Sequence, residues 1–108
     1  MSAALAAANA GHHVTLCGPY ASTPPTGGIQ LAPNGWQALD QLGLFDAAIK
    51  RATRLDHIVV RDLDTGATLT RLGLNNQYAS IGRADLLDLL QDTVANHDSI
   101  THLSLIHI

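Results

Sequence analysis

The sequence contains no glutamate; all nine of its acidic residues are aspartate. Basic charge is scarce as well. Lys50 is the lone lysine, six Lys and Arg residues stand against nine Asp, and the formal net charge is −3. A chain without a basic surface lacks the electrostatic footprint of a nucleic-acid binder, so DNA and RNA are set aside as partners. Cys17 is the single cysteine, which excludes an internal disulfide. No apolar run reaches the roughly eighteen residues that a bilayer-crossing helix needs. The small residues of "MSAALAAANAGHHVTL" are not preceded by a basic segment, so no targeting signal is expected there. These absences predict a reduced, cytoplasmic chain. The six histidines, His12, His13, His57, His97, His102 and His107, form no HExxH motif, no i, i+4 pair and no zinc spacing with cysteine, and no metal site is expected.

What is present is a single small domain's worth of chain, 108 residues of which 46% are hydrophobic, enough to bury a core. Ser2 to Ala10 is alanine-rich and predicts a helix that stops at Gly11. His13 to Cys17 is short, β-branched and apolar, as a buried strand fed by a crossover helix would be. A loop rich in proline and glycine follows. Pro33 suits a first helical turn, Trp36, Leu39 and Leu42 share one face, and Gly43 can end that helix. Leu44 to Lys50 predicts a further short helix. Ile58 to Val60 and Ala67 to Leu72 flank "DLDTG", which predicts a hairpin turning at Asp64-Thr65-Gly66. Arg83 to Val94 carries Leu86, Leu87, Leu89 and Leu90 at helical period, and Ile100 to Ile108 predicts a last strand. The fold class is therefore α/β, with no internal repeat and no domain boundary.

Four places invite a chemical interpretation. "IVVRDLDTG" has the Asp-x-Asp of haloacid-dehalogenase-type phosphotransferases, with Asp62 as nucleophile and Asp64 as acid/base. The residues after it are in the wrong order and no downstream lysine exists, so a turn is the better account. Cys17 has no electropositive neighbour to lower its pKa and is expected to be a buried structural residue. Arg83 sits at a helix start, where the macrodipole disfavours a cation; either it binds something or it pairs with a carboxylate such as Asp85. Gly27-Gly28, approached through Pro24-Pro25, is either a plain connection or a loop shaped for close approach of a ligand.

Three segments, in order and over nearly the whole chain, resemble the front of the flavoprotein aromatic hydroxylases. These are the group A FAD-dependent monooxygenases that include salicylate, para-hydroxybenzoate and ubiquinone-pathway hydroxylases. "SAALAAANAGHHVTL" resembles their first crossover helix and second strand. "GGIQLAPNGWQALDQLGLFDA" resembles their Gly-x-Gly-Ile-Gln-Leu-x-Pro-Asn segment and the helices after it, and "YASIGRADLLDLL" resembles their aromatic-x-x-x-x-Arg-x-x-Leu segment. The resemblance implies a partial Rossmann-like FAD-binding domain, residues 1–108, lacking its first strand and glycine-rich turn and carrying an inserted β-hairpin. It implies FAD as cofactor, NAD(P)H as electron donor, and O₂ and a small aromatic substrate as partners of the parent enzyme. Gly28, Ile29 and Gln30 would lie by the cofactor, Gly27 and Gly28 would give it room, and Arg83 would reach a polar part of FAD.

This chain departs from that family in two ways. The Gly-x-Gly-x-x-Gly turn that seats the pyrophosphate is not in the sequence, and Gly18 stands where the family has an acid for the adenosine ribose. The chain alone is therefore expected to bind FAD weakly and to be inactive, with catalytic residues outside it. "LSLIHI", Leu103 to Ile108, resembles translated adapter read-through and carries no assigned role. Two alternatives remain open at this level: a stand-alone α/β binding module without redox activity, and a flavin reductase or halogenase built on the same domain.

Overall fold

The computed structural model describes residues 1–18 and 25–104, with the Asn76 side chain excepted. Along the chain run α1 (Ser2–Asn9), β1 (Val14–Cys17), β2 (Gly28–Leu31), α2 (Pro33–Gln41) and α3 (Phe45–Arg51). They are followed by β3 (Thr53–Arg61), β4 (Thr68–Gly82), α4 (Arg83–Ala95) and β5 (Ile100–Leu103). The mixed α/β class expected from the sequence is present. Two sheets form: β1 and β5 pair in parallel, and β2, β4 and β3 make an antiparallel sheet in that order. The expected strand at Ile100 ends at Leu103, opposite Cys17, and residues 105–108 lie outside the described part.

The helix boundaries follow local chemistry. Pro33 occupies the first turn of α2 after an extended Ala32, where its missing N–H costs nothing. The other end is a Schellman motif: Leu44 N–H donates to Leu39 O at 2.8 Å and Gly43 N–H to Asp40 O at 2.9 Å. Gly43 carries the left-handed φ of 76° that this motif requires. α3 has Asp46 in its first turn and Lys50 and Arg51 in its last, matching both ends of the helix dipole.

One core joins the two sheets. Leu5 of α1, Leu31 of β2, Leu39 of α2, Ala48 of α3, Ile81 of β4, and Leu89 and Val94 of α4 pack together, with Leu44 between α2 and α3. Leu5 and Ile81 are the large side chains buried most completely, at 1% exposure each. Each contributes about 1.5–3 kcal/mol of transfer free energy on burial.

Two expectations are corrected. Cys17 is exposed, because burial alternates along β1 and only its Val14 and Leu16 face is covered. α1 and α4 touch each other and pack on the β1–β5 pair, and among the described residues no helix covers the opposite face. The glycine-rich segment before Pro33 is likewise no plain loop, since Gly28 to Leu31 is a paired strand. The hairpin turn is where it was expected, but β4 runs on to Gly82. Between the pairs Leu55–Tyr78 and His57–Gly73, β3 spends Asp56 while β4 spends 74–77, a wide bulge in which Asn75 adopts a φ of 51°.

"DLDTG" is a turn. Asp62 Oδ1 accepts from Asp64 N–H at 3.0 Å, Thr65 N–H at 2.8 Å and the Thr65 hydroxyl at 3.1 Å. These donors, Thr65 foremost, hold the Asp62 carboxyl below its ordinary pKa. An oxygen so occupied ties the turn together, leaving little of a nucleophile.

Candidate functional site

Gly27 to Gln30 and Arg83, more than fifty residues apart in sequence, become neighbours through strand pairing. β2 lies antiparallel to the end of β4, with Gly28 opposite Gly82, Ile29 opposite Ile81, Gln30 opposite Ser80 and Leu31 opposite Ala79. Since β4 runs directly into α4, this register sets Gly27 against Arg83. The Arg83 N–H donates to the Gly27 carbonyl at 3.0 Å. That N–H is one of the first four of α4, which have no partner inside the helix, so the glycine segment caps α4 from outside.

Alternation divides β2 between two environments. Ile29 packs against the core and Leu31 is buried within it, so the Ile29 side chain is committed inward and only its main chain faces out. Gly28 and Gln30 are exposed on the other face, in line with Ser80 and Gly82. The Gly28 position presents bare main chain to solvent. Gly27 needs its glycine more strictly, because its φ of 89° is one that a side chain makes unfavourable.

Arg83 is exposed at the first position of α4, and among the described residues its guanidinium makes no hydrogen bond or ion pair. Pairing with Asp85, the alternative the sequence left open, does not occur. The Asp85 carboxylate instead folds back over Gly82, so close that a Cβ there would lie 2.9 Å from Oδ2. The Asp85 carbonyl accepts from Arg51 Nη1 at 3.1 Å, which ties α3 to the first turn of α4. Ser80, Gly82 and Asp85 thus complete the surroundings of the five expected residues. None was singled out as a site residue, since their role is visible only once β2 and β4 are paired.

The second place where a dinucleotide site would be sought is the end of β1. There Gly18 N–H donates to Leu103 O at 2.9 Å, and no carboxylate follows the strand at that position. The expected stiffening by Pro24-Pro25 involves Pro24, which lies outside the described residues. Among the described residues no group of three His, Cys, Asp or Glu side chains is placed to share a metal ion. No helix of the described residues is long and apolar enough to cross a membrane.

No protein-family model matches the sequence. The chain is 30% identical over 83 residues to the 3-hydroxybenzoate 6-hydroxylase of Klebsiella oxytoca, an overlap of 69% of this chain and 21% of that protein. It is 39% identical over 84 residues to a 3-amino-4-hydroxybenzoate 2-monooxygenase of Streptomyces platensis, covering 67% of this chain and 21% of the relative. Its fold superposes on a probable FAD-dependent monooxygenase from Pseudomonas aeruginosa with a TM-score of 0.80 at 16% identity, over 95% of this chain and 29% of that one. The relatives it matches in sequence are hydroxybenzoate hydroxylases and monooxygenases, its fold is that of FAD-dependent monooxygenase structures, and the chain spans about 21% of the length of those curated relatives.

Proposed function

We propose that this chain forms part of the FAD-binding domain of an NAD(P)H-dependent monooxygenase that hydroxylates an aromatic or phenolic substrate. The observation that carries it is the β2–β4 register, which puts an exposed glycine edge and an unpaired guanidinium side by side at a helix start. Bare main chain at Gly27 and Gly28 allows a flat ring system to come close. The Gln30 amide offers a donor and an acceptor at the same edge, and the planar Arg83 fork suits a phosphate or carbonyl oxygen. These residues fit one portion of FAD. They do not supply the ribose contact, for which the end of β1 offers Gly18 and no carboxylate.

When bound, FAD reduced by NAD(P)H supplies the redox chemistry that passes one atom of O₂ to an electron-rich ring, the other leaving as water. The role of this chain's residues is to bind and orient. The core holds Ile29 and Leu31, so the strand that bears Gly28 and Gln30 is rigidly based, and Arg83 is fixed at the end of that strand by its own N–H. The two relatives are named for hydroxybenzoates, and a ring-hydroxylated benzoate is the substrate class we infer.

The test uses the protein of the full reading frame. Arg83→Ala should weaken FAD retention about tenfold or more, the scale of one hydrogen bond to a charged group, and unchanged flavin content would remove Arg83 from the site. Oxygen uptake coupled to NADH or NADPH consumption should be stimulated by a hydroxybenzoate. No stimulation across a panel of phenols would overturn the hydroxylase assignment.

A further inference from the structure

On the opposite face of the three-stranded sheet from Gly28 and Gln30 lies a pocket of about 240 Å³, walled by α2, α3 and the β3–β4 pair. Trp36 and Phe45 form its aromatic side, their rings meeting edge to face with centroids 5.5 Å apart, and Ile49 continues the apolar wall. Arg54 stands at its rim. Arg54 is paired with Ala79, itself opposite Leu31, so its side chain shares the core face of the sheet and reaches α2 and α3. Among the described residues no carboxylate lines the pocket, and the Arg54 guanidinium has no hydrogen-bond or ion-pair partner among them. Gln77, delivered by the β4 bulge, and Tyr78 add polar groups beside it.

We propose that this pocket is a binding site for a small aromatic monocarboxylate, its ring among Trp36, Phe45 and Ile49 and its carboxylate on Arg54. An apolar wall with a few convergent polar groups is the usual make-up of a small-molecule site. Size limits the ligand: an apolar cavity of about 150 Å³ holds benzene, so this one takes a single ring with a short acidic arm. Charge fixes the head group, because an unpaired planar guanidinium prefers a carboxylate and can grip both oxygens. The ring adds edge or stacking contacts with the two aromatic walls. The site is independent of the flavin assignment. Rows Gln30–Ser80–Thr53 and Leu31–Ala79–Arg54 are successive across the sheet, so they point to opposite faces, and a ligand in the pocket cannot touch the glycine edge.

Trp36 is the sole tryptophan, so its fluorescence reports occupancy directly. Phenylacetate is titrated into the 108-residue chain, with phenylacetamide as the uncharged isostere and acetate as the acid without a ring. Phenylacetate should perturb Trp36 saturably, phenylacetamide should bind at least tenfold more weakly, and acetate should give no saturable change. Arg54→Gln should raise the phenylacetate Kd at least tenfold, while Arg83→Ala, on the other face, should leave it within twofold. Linear quenching without saturation, equal binding of acid and amide, or an Arg54→Gln chain that binds as the parent does would each overturn the proposal. So would a loss of binding in Arg83→Ala that Arg54→Gln does not share. A circular dichroism spectrum matching the parent confirms that each variant is folded; if Arg54→Gln fails this check, Arg54→Lys replaces it. Binding by the lysine variant undiminished relative to the parent would then refute the role of the planar fork.

Discussion

Ile81→Ala should loosen the candidate site without touching any residue in it. Ile81 is 1% exposed and sits opposite Ile29 in the middle of the β2–β4 pairing. It belongs to the same core cluster as Leu5, Leu31 and Leu89, from three other elements. Removing three carbons there leaves a cavity that rigid neighbours on both sides cannot collapse, at a cost of roughly 3 kcal/mol within the usual 2–5. Against the roughly 5–15 kcal/mol by which domains are stable, this is a large fraction. With a urea slope of about 1.5 kcal/mol/M the midpoint should fall by about 2 M. Leu72→Ala, at a position 55% exposed, should move it by less than about 0.5 kcal/mol. Hydrogen exchange then connects stability to site: the Arg83 amide, bonded to Gly27 O, should exchange faster in Ile81→Ala. A loss below about 1 kcal/mol, or an unchanged Arg83 amide, would refute the claim that this side chain anchors the glycine edge to the core.

Gly27→Ala should cost about 1–2 kcal/mol in a urea melt, because a φ of 89° is strained for any residue with a Cβ; no measurable loss would show that the segment adopts another conformation. Asp62 has a folded pKa below its ordinary 3.8, so its stabilising effect is full above that value and is lost as pH falls through the folded pKa. The melting-temperature gap between the parent and Asp62→Ala should therefore be constant near neutrality and close in acid below about pH 4; a gap that widens in acid would contradict the turn geometry. Cys17, being exposed, should be alkylated by iodoacetamide in the native chain nearly as fast as in urea, and strong native protection would show that something covers that face of β1.

The parts of the fold legible in sequence are those whose cause is local. Pro33, Gly43 and the leucines of α4 mark helix ends and a helix face within one or two turns, and the Asp62 carboxylate draws its bonds from Asp64 and Thr65, no more than three residues away. β2 is hidden in the sequence because it opens on Gly28, directly after Gly27, and glycine has no strand preference. Its conformation is imposed by Ala79 to Gly82, far along the chain. Gly73 and Asn75 likewise broke the alternation that would have announced a strand as long as β4. The exposure of Cys17 is not legible in its sequence neighbours, because a strand's burial depends on which layers cover it. Gly27, Gly28, Ile29, Gln30 and Arg83 were named through family resemblance. Their meeting at one edge, and the inward commitment of Ile29, required the register. The Arg54 pocket draws on two helices and two strands, and no single segment signals it.

The link between Gly27 and Arg83 is made entirely of atoms that every amino acid possesses, a carbonyl oxygen and an amide hydrogen. It is therefore invisible to substitution at position 83, with one exception. Proline suits the first position of a helix and lacks only the N–H, and the preceding Gly82, at φ −60° and ψ 138°, already has the backbone angles that a following proline demands. Arg83→Pro would thus open this latch while leaving α4 its start. The shape of this edge is inherited as dihedral angles, and its chemistry separately as a side chain, so that one can be exchanged while the other stays.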